Sequence, residues 1–167
     1  MHPKMFGNPI KINLWTLLAA VFLLSACASP YLKGSTPQGG KAYLGPVPIE
    51  KTESYQAYLH SRHTEVDKQR YLFQRLKASV NLQFYDDGRW YDTLEAYRGG
   101  MWLMRNRYKE GQDSREFIRK YIERSEQTNQ YRLVQYPDGS VQIGSYILYN
   151  ELELLEETAE KDLAGKS

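Results

Sequence analysis

The chain has 167 residues, 41% of them hydrophobic and 25% charged, which excludes a broadly disordered or multi-spanning protein. The formal net charge of +2 comes from Lys4 and Lys11; from Cys27 onward 20 basic residues face 20 acidic ones. The phosphate-driven attraction of a nucleic-acid binder therefore has no source. A single cysteine excludes an internal disulfide framework and a cysteine-based zinc cluster.

Residues 1–11 form a short, positively charged lead, and residues 12–26 are almost unbroken apolar sequence from Ile12 through Leu24. That run is shorter than the roughly 20 residues needed to cross a hydrocarbon core of about 30 Å, and its flanks suit a secretory signal. It ends in Leu24-Ser25-Ala26-Cys27, which resembles the lipobox of bacterial lipoproteins. The resemblance implies cleavage after residue 26, a diacylglyceryl group on the Cys27 sulfur and acylation of the new amine. One acyl chain holds a protein only reversibly, each buried CH₂ contributing ~0.8 kcal/mol, whereas several hold it stably. Ala28, where Asp would favour inner-membrane retention, implies sorting to the outer membrane; the domain is expected to face the periplasm.

Residues 28–50 hold four prolines and four glycines, a composition that builds no helix and reads as a tether spanning about 25 Å. Within it, the apolar run from Tyr43 to Ile49 is expected to dock on the domain or on a partner. A single domain is expected over 51–167.

A helix-compatible stretch runs from about Lys51 to Ser79. Tyr55, Leu59, Val66, Leu72 or Phe73, Leu76 and Val80 recur at spacings of three, four and seven, placing them on one stripe. Leu82 and Phe84 alternate with polar residues before Asp87-Gly88, the signal of a two-residue hairpin. Asp92 with Glu95, and Asp113 with Glu116, each predict a capped helix start. The first of these helices carries Leu94, Tyr97, Met101, Met104 and Tyr108 on one face. The second carries Phe117, Ile118, Tyr121 and Ile122. Gly99-Gly100 interrupts the first, and each glycine costs ~1 kcal/mol relative to Ala, so a close packing contact or a kink is expected there.

A second hairpin is expected around Pro137-Asp138-Gly139-Ser140, between strands at Tyr131–Tyr136 and Val141–Ile143. A last helix should run from about Tyr146 to Asp162, with Ile147, Leu148, Leu152, Leu155 and Ala159 inward and Glu151, Glu153, Glu156, Glu157 and Glu160 in water. This order predicts an α+β domain, with helices on a small antiparallel sheet of hairpins. Residues 76–139 also resemble a family of small exported bacterial proteins of unknown function. The resemblance rests on Ser79, Phe84, Asp87-Gly88, Tyr91, Glu95-Ala96 and Glu116-Phe117-Ile118. Leu82 stands where that family has a Cys, and Gly99-Gly100 replaces a bulkier, polar pair. It implies a fold and no activity.

Little in the chain points to chemistry. His60 and His63, with Glu53 and Asp67 near the same helical face, are weak candidates for a metal, set against a solvated helix face. No nucleophile elbow, phosphate-cradling loop or dinucleotide fingerprint is present, so no cofactor is expected. Asp86 and Asp87 beside Trp90 and Tyr91 are the nearest approach to a glycosidase pair, set against a plain hairpin tip. Arg105, Arg107 and Lys109 read as a solvated helix end complementing the dipole. All 14 tyrosines lie after Cys27, and tyrosine favours interfaces because it pairs an apolar ring with a wet hydroxyl. Trp90, Tyr91, Tyr97 and Trp102 are the candidate recognition surface. The expected function is that of a non-enzymatic, lipid-anchored outer-membrane lipoprotein binding another envelope component, most simply a protein. The alternative is a peptidoglycan-binding or glycan-cleaving lipoprotein using the Trp90/Tyr91 hairpin.

Overall fold

The computed structural model describes residues 31–165; the expected signal peptide and Cys27 lie outside them. Five helices and a four-stranded antiparallel sheet make up an α+β domain, as expected. No helix among the described residues is long and apolar enough to cross a membrane.

The stretch expected as one helix over 51–79 is two: α1 (Glu53–Leu59) and α2 (Glu65–Ala78). The break has a local cause. Thr64 accepts from the Asp67 backbone N–H while the Asp67 carboxylate accepts from the Thr64 N–H, a reciprocal cap that starts a new helix. His63 enters it with a positive φ of 56°. Val80, expected on the apolar stripe, lies beyond the end of α2 and is 73% exposed.

Strands β1 (Gln83–Asp86) and β2 (Arg89–Tyr91) form the first hairpin. Asp87 and Gly88 both take positive φ, the backbone that a two-residue turn requires and that the Asp-Gly pair tolerates. Helix α3 (Thr93–Arg107) starts on a reciprocal cap between Asp92 and Glu95. Helix α4 (Ser114–Phe117) runs into a π-helical turn at Ile118–Ile122. The second hairpin joins β3 (Leu133–Gln135) to β4 (Val141–Ile143), and α5 (Gly144–Ala164) closes the domain.

The strand order is β2-β1-β3-β4. Phe84 pairs with Tyr91 and with Val134, which puts these three on one face of the sheet. That face meets Tyr71, Leu72 and Leu76 of α2 and Ile147, Leu152 and Leu155 of α5 in the main core. Tyr85, Trp90 and Leu133 point the other way. A smaller cluster of Phe73, Phe117 and Tyr121 extends the core beneath the far end of α3.

The expected tether requires correction over residues 31–50, which are packed on the domain. Leu32 adds a parallel bridge at the β4 edge, and Ala42, Leu44 and Ile49 are buried. The proline and glycine content does prevent a helix, yet the backbone groups it leaves unpaired are met by side chains from distant elements. Gln142 binds the Gly34 N–H at 3.0 Å and the Ser35 carbonyl at 2.8 Å. Asn150 donates to the carbonyls of Gly34 and Ala42. A Cβ on Gly34 would approach Asn150 Nδ2 to 3.0 Å, and its φ is +74°, so glycine is required there.

Glu151, expected in water, is fully buried. Its carboxylate accepts from Arg75 Nε at 3.0 Å and Nη2 at 3.1 Å, from the Tyr71 hydroxyl at 3.2 Å and from the Leu44 N–H at 2.7 Å. Arg75 in turn donates to the Pro46 carbonyl. Two charges taken from water are tolerable when their lone pairs and protons are filled this completely, and this cluster fixes the 31–50 segment between α2 and α5. Burial, with the Glu151 charge beside it, drives the Tyr71 hydroxyl pKa far above its ordinary range.

Candidate functional site

Helix α3 is well formed and poorly covered. Its start is capped by Asp92, yet none of its 15 residues is buried. Leu94, expected on the inner face, is 43% exposed, and Trp102 is 55% exposed. The closest approach is at Gly100, where a Cβ would come within 2.3 Å of the Phe73 ring of α2. Close packing, one of the two expected explanations for the glycine pair, therefore holds at Gly100. Gly99 meets nothing within 4 Å.

This contact holds the middle of α3 close to α2, where Tyr97, Met101 and Met104 also pack on the Phe73, Phe117 and Tyr121 cluster, and space is left toward the sheet. An apolar cavity of about 360 Å³ opens there, with Phe84 and Tyr91 from the hairpin, Ala96, Trp102 and Leu103 from α3, and Leu148 from α5 among its walls. Cavities of a few hundred cubic ångströms with apolar walls and a few polar groups are the usual form of a small-ligand or side-chain site. Here the polar groups are Asp86, Arg132 and Glu95. Asp86 pairs with Arg132 Nε at 2.9 Å, and Glu95 pairs with Arg89 at 2.8 Å. The Arg132 guanidinium also donates to the carbonyls of Tyr121 and Arg124, closing the C-terminal end of the π-helical turn. The second Asp86 oxygen, Oδ1, is buried with no hydrogen-bond partner.

The four aromatic residues singled out in the sequence do not form one surface. Tyr91 and Trp102 line the cavity. Tyr97 lies outside it, half-buried, with the Lys77 ammonium 5.4 Å from its ring centre. Trp90 lies on the opposite face of the sheet, 5.2 Å from the Tyr85 ring. Together with Tyr31 and Tyr131 they rim a shallow recess there.

The histidines do not share a helical face. Helix α1 ends at Leu59, His60 folds Nδ1 back to the Gln56 carbonyl at 2.7 Å, and His63 stacks on Tyr58 with ring centres 5.0 Å apart. Asp67 is occupied by Thr64 and Arg70. No group of three metal-ligating side chains occurs among the described residues. Asp86 and Asp87 also diverge: Asp86 faces Arg132, while Asp87 accepts from Thr128 Oγ1 at 2.6 Å. Hydrogen bonds from Ser125 and Thr128 hold the Asp87 carboxyl below its ordinary pKa, the wrong direction for a general acid. Arg107 pairs with Glu126 at 2.9 Å.

Sequence reasoning missed Arg132 and the Arg75–Glu151 pair, and it named Phe73 only as an alternative to Leu72 on the helical stripe. For Glu151 a signal was available: it stands four residues after Ile147 and four before Leu155, on the core stripe itself. No family model matches the chain, and neither a curated protein nor a solved structure matches it.

Proposed function

We propose that the chain is a lipid-anchored binding protein of the bacterial envelope, acylated at Cys27 and sorted to the outer membrane. In this reading the cavity beneath α3 seats an apolar group of another envelope component, and no chemistry is performed on it. The observation that supports it is a helix with a reciprocally capped N-terminus lying over an apolar cavity with no residue of its own buried. A helix in an ordinary core buries its apolar stripe; α3 leaves Leu94 and Trp102 exposed, with Trp102 in the cavity wall. The test is photo-crosslinking in intact cells, with a photoreactive residue replacing Trp102 or, as a control, Glu157. A discrete adduct specific to position 102, lost when Ala96→Phe fills the cavity, is expected. Identical adducts from both positions, or no effect of Ala96→Phe, would sink the reading.

A second reading has its own observation. Trp90 and Tyr85 lie side by side on the other sheet face, an arrangement on which a sugar ring can stack. Sedimentation with purified peptidoglycan, parent against Trp90→Ala, separates the two: selective loss of pelleting favours the glycan.

A further inference from the structure

Packing of residues 31–50 onto the domain shortens the connection to the membrane. Leu32 is hydrogen-bonded into the β4 edge, its N–H to the Val141 carbonyl and its carbonyl to the Ile143 N–H, both at 2.9 Å. Five residue steps separate it from Cys27, and at no more than ~3.6 Å per step these span at most about 18 Å. The headgroup layer beyond the hydrocarbon core occupies roughly 5–7 Å of that reach. A domain held by an acylated Cys27 thus stands at most about 12 Å beyond the headgroups, roughly one helix diameter.

The sheet face at this end carries side chains suited to such a layer. Tyr31, Tyr85, Trp90 and Tyr131 rim the shallow recess of about 630 Å³, and Trp90 is 39% exposed. Tyrosine and tryptophan concentrate at headgroup level because each joins an apolar ring to a polar group. Arg124 belongs to the same recess, its guanidinium 3.6 Å from the centre of the Tyr131 ring, and a guanidinium is matched to phosphate oxygens. Tethered proximity supplies a high effective concentration, so even a weak surface contact is occupied.

We infer that this face rests on the phospholipid headgroup layer of the bilayer holding the Cys27 acyl chains; the inference depends on the lipidation proposed above. Trp102 of α3 lines the cavity with Phe84 and Tyr91, on the side of the sheet opposite Trp90.

The experiment uses the mature, acylated protein in vesicles of phosphatidylethanolamine and phosphatidylglycerol containing lipids brominated near the glycerol backbone. Removal of the signal peptide leaves Trp90 and Trp102 as the tryptophans. Trp102→Phe therefore reports Trp90 alone, and Trp90→Phe reports Trp102 alone. Loss of Trp90 emission with Trp102 unquenched is the expected result, and a Gly/Ser insertion after Pro30 should weaken the loss. Incorporation of labelled palmitate is measured in the same preparation. Label present with Trp90 unquenched, or with both tryptophans quenched alike, overturns the docking alone. Absence of label overturns the anchored reading and the docking with it.

Discussion

The 31–50 segment and helix α3 reverse what their sequences suggest. The segment is rich in proline and glycine, carries no helix, and is held by side chains of β4, α2 and α5. Helix α3 has a reciprocal cap and an apolar stripe, yet buries nothing completely. Local signals decide whether an element forms; where it docks depends on groups far away in the chain. The segment is fixed because Gln142, Asn150 and Glu151 reach backbone atoms more than a hundred residues distant. The helix lies close on α2 at Gly100, and its stripe packs on Phe73, Phe117 and Tyr121 without being fully covered, which leaves the cavity toward the sheet.

The largest effect expected from breaking this contrast is at Glu151. Glu151→Ala leaves Arg75 buried without its carboxylate, and removal of one partner of a buried pair costs about 3–5 kcal/mol. Urea unfolding should show that loss, and hydrogen exchange should show the Leu44 amide losing protection. Unchanged protection at Leu44 would mean the segment is held by other contacts.

Next in size is the glycine pair. Gly100→Ala forces a Cβ into the Phe73 ring, an overpacking cost of about 1–3 kcal/mol only partly offset by helix propensity. Gly99→Ala has open space and should stabilise by up to ~1 kcal/mol. Equal responses in thermal unfolding would show that α3 is not held at Gly100. Asp92→Ala should cost about 1 kcal/mol, seen as faster exchange confined to the first turn of α3.

The smallest effect concerns pH. Hydrogen bonds from Arg115, and then Lys68, lower the Glu156 carboxyl from 4.5 to about 2. A depressed carboxyl contributes stability above its unfolded pKa and loses it as pH falls through the folded value. The loss should fall between about pH 4.5 and pH 2. The side chain is one-third exposed, so solvent screening keeps the contribution to ~1 kcal/mol or less. Unfolding midpoints of parent and Glu156→Gln should converge across that window.

Read from the residues alone, both hairpin turns, the caps at Asp92 and Asp113 and the apolar stripe of α5 were legible, because each depends on neighbours within four residues. The division between α1 and α2 was legible in principle from Thr64 and Asp67, but the continuous helical spacing masked it. The candidate site was legible only in fragments: Gly99-Gly100 marked the place, and Tyr91 and Trp102 were named. Their separation from Trp90 follows from strand alternation, which puts Trp90 and Tyr91 on opposite faces.

The amino-acid order by itself determined the helices, the turns and the α+β class, since these arise from short-range backbone preferences and hydrophobic period. Tertiary structure alone decided that a proline-rich stretch becomes part of the domain and that a capped helix stands over a cavity. Both outcomes depend on contacts between residues distant along the chain, where a single buried carboxylate or one ring against a glycine outweighs every local preference.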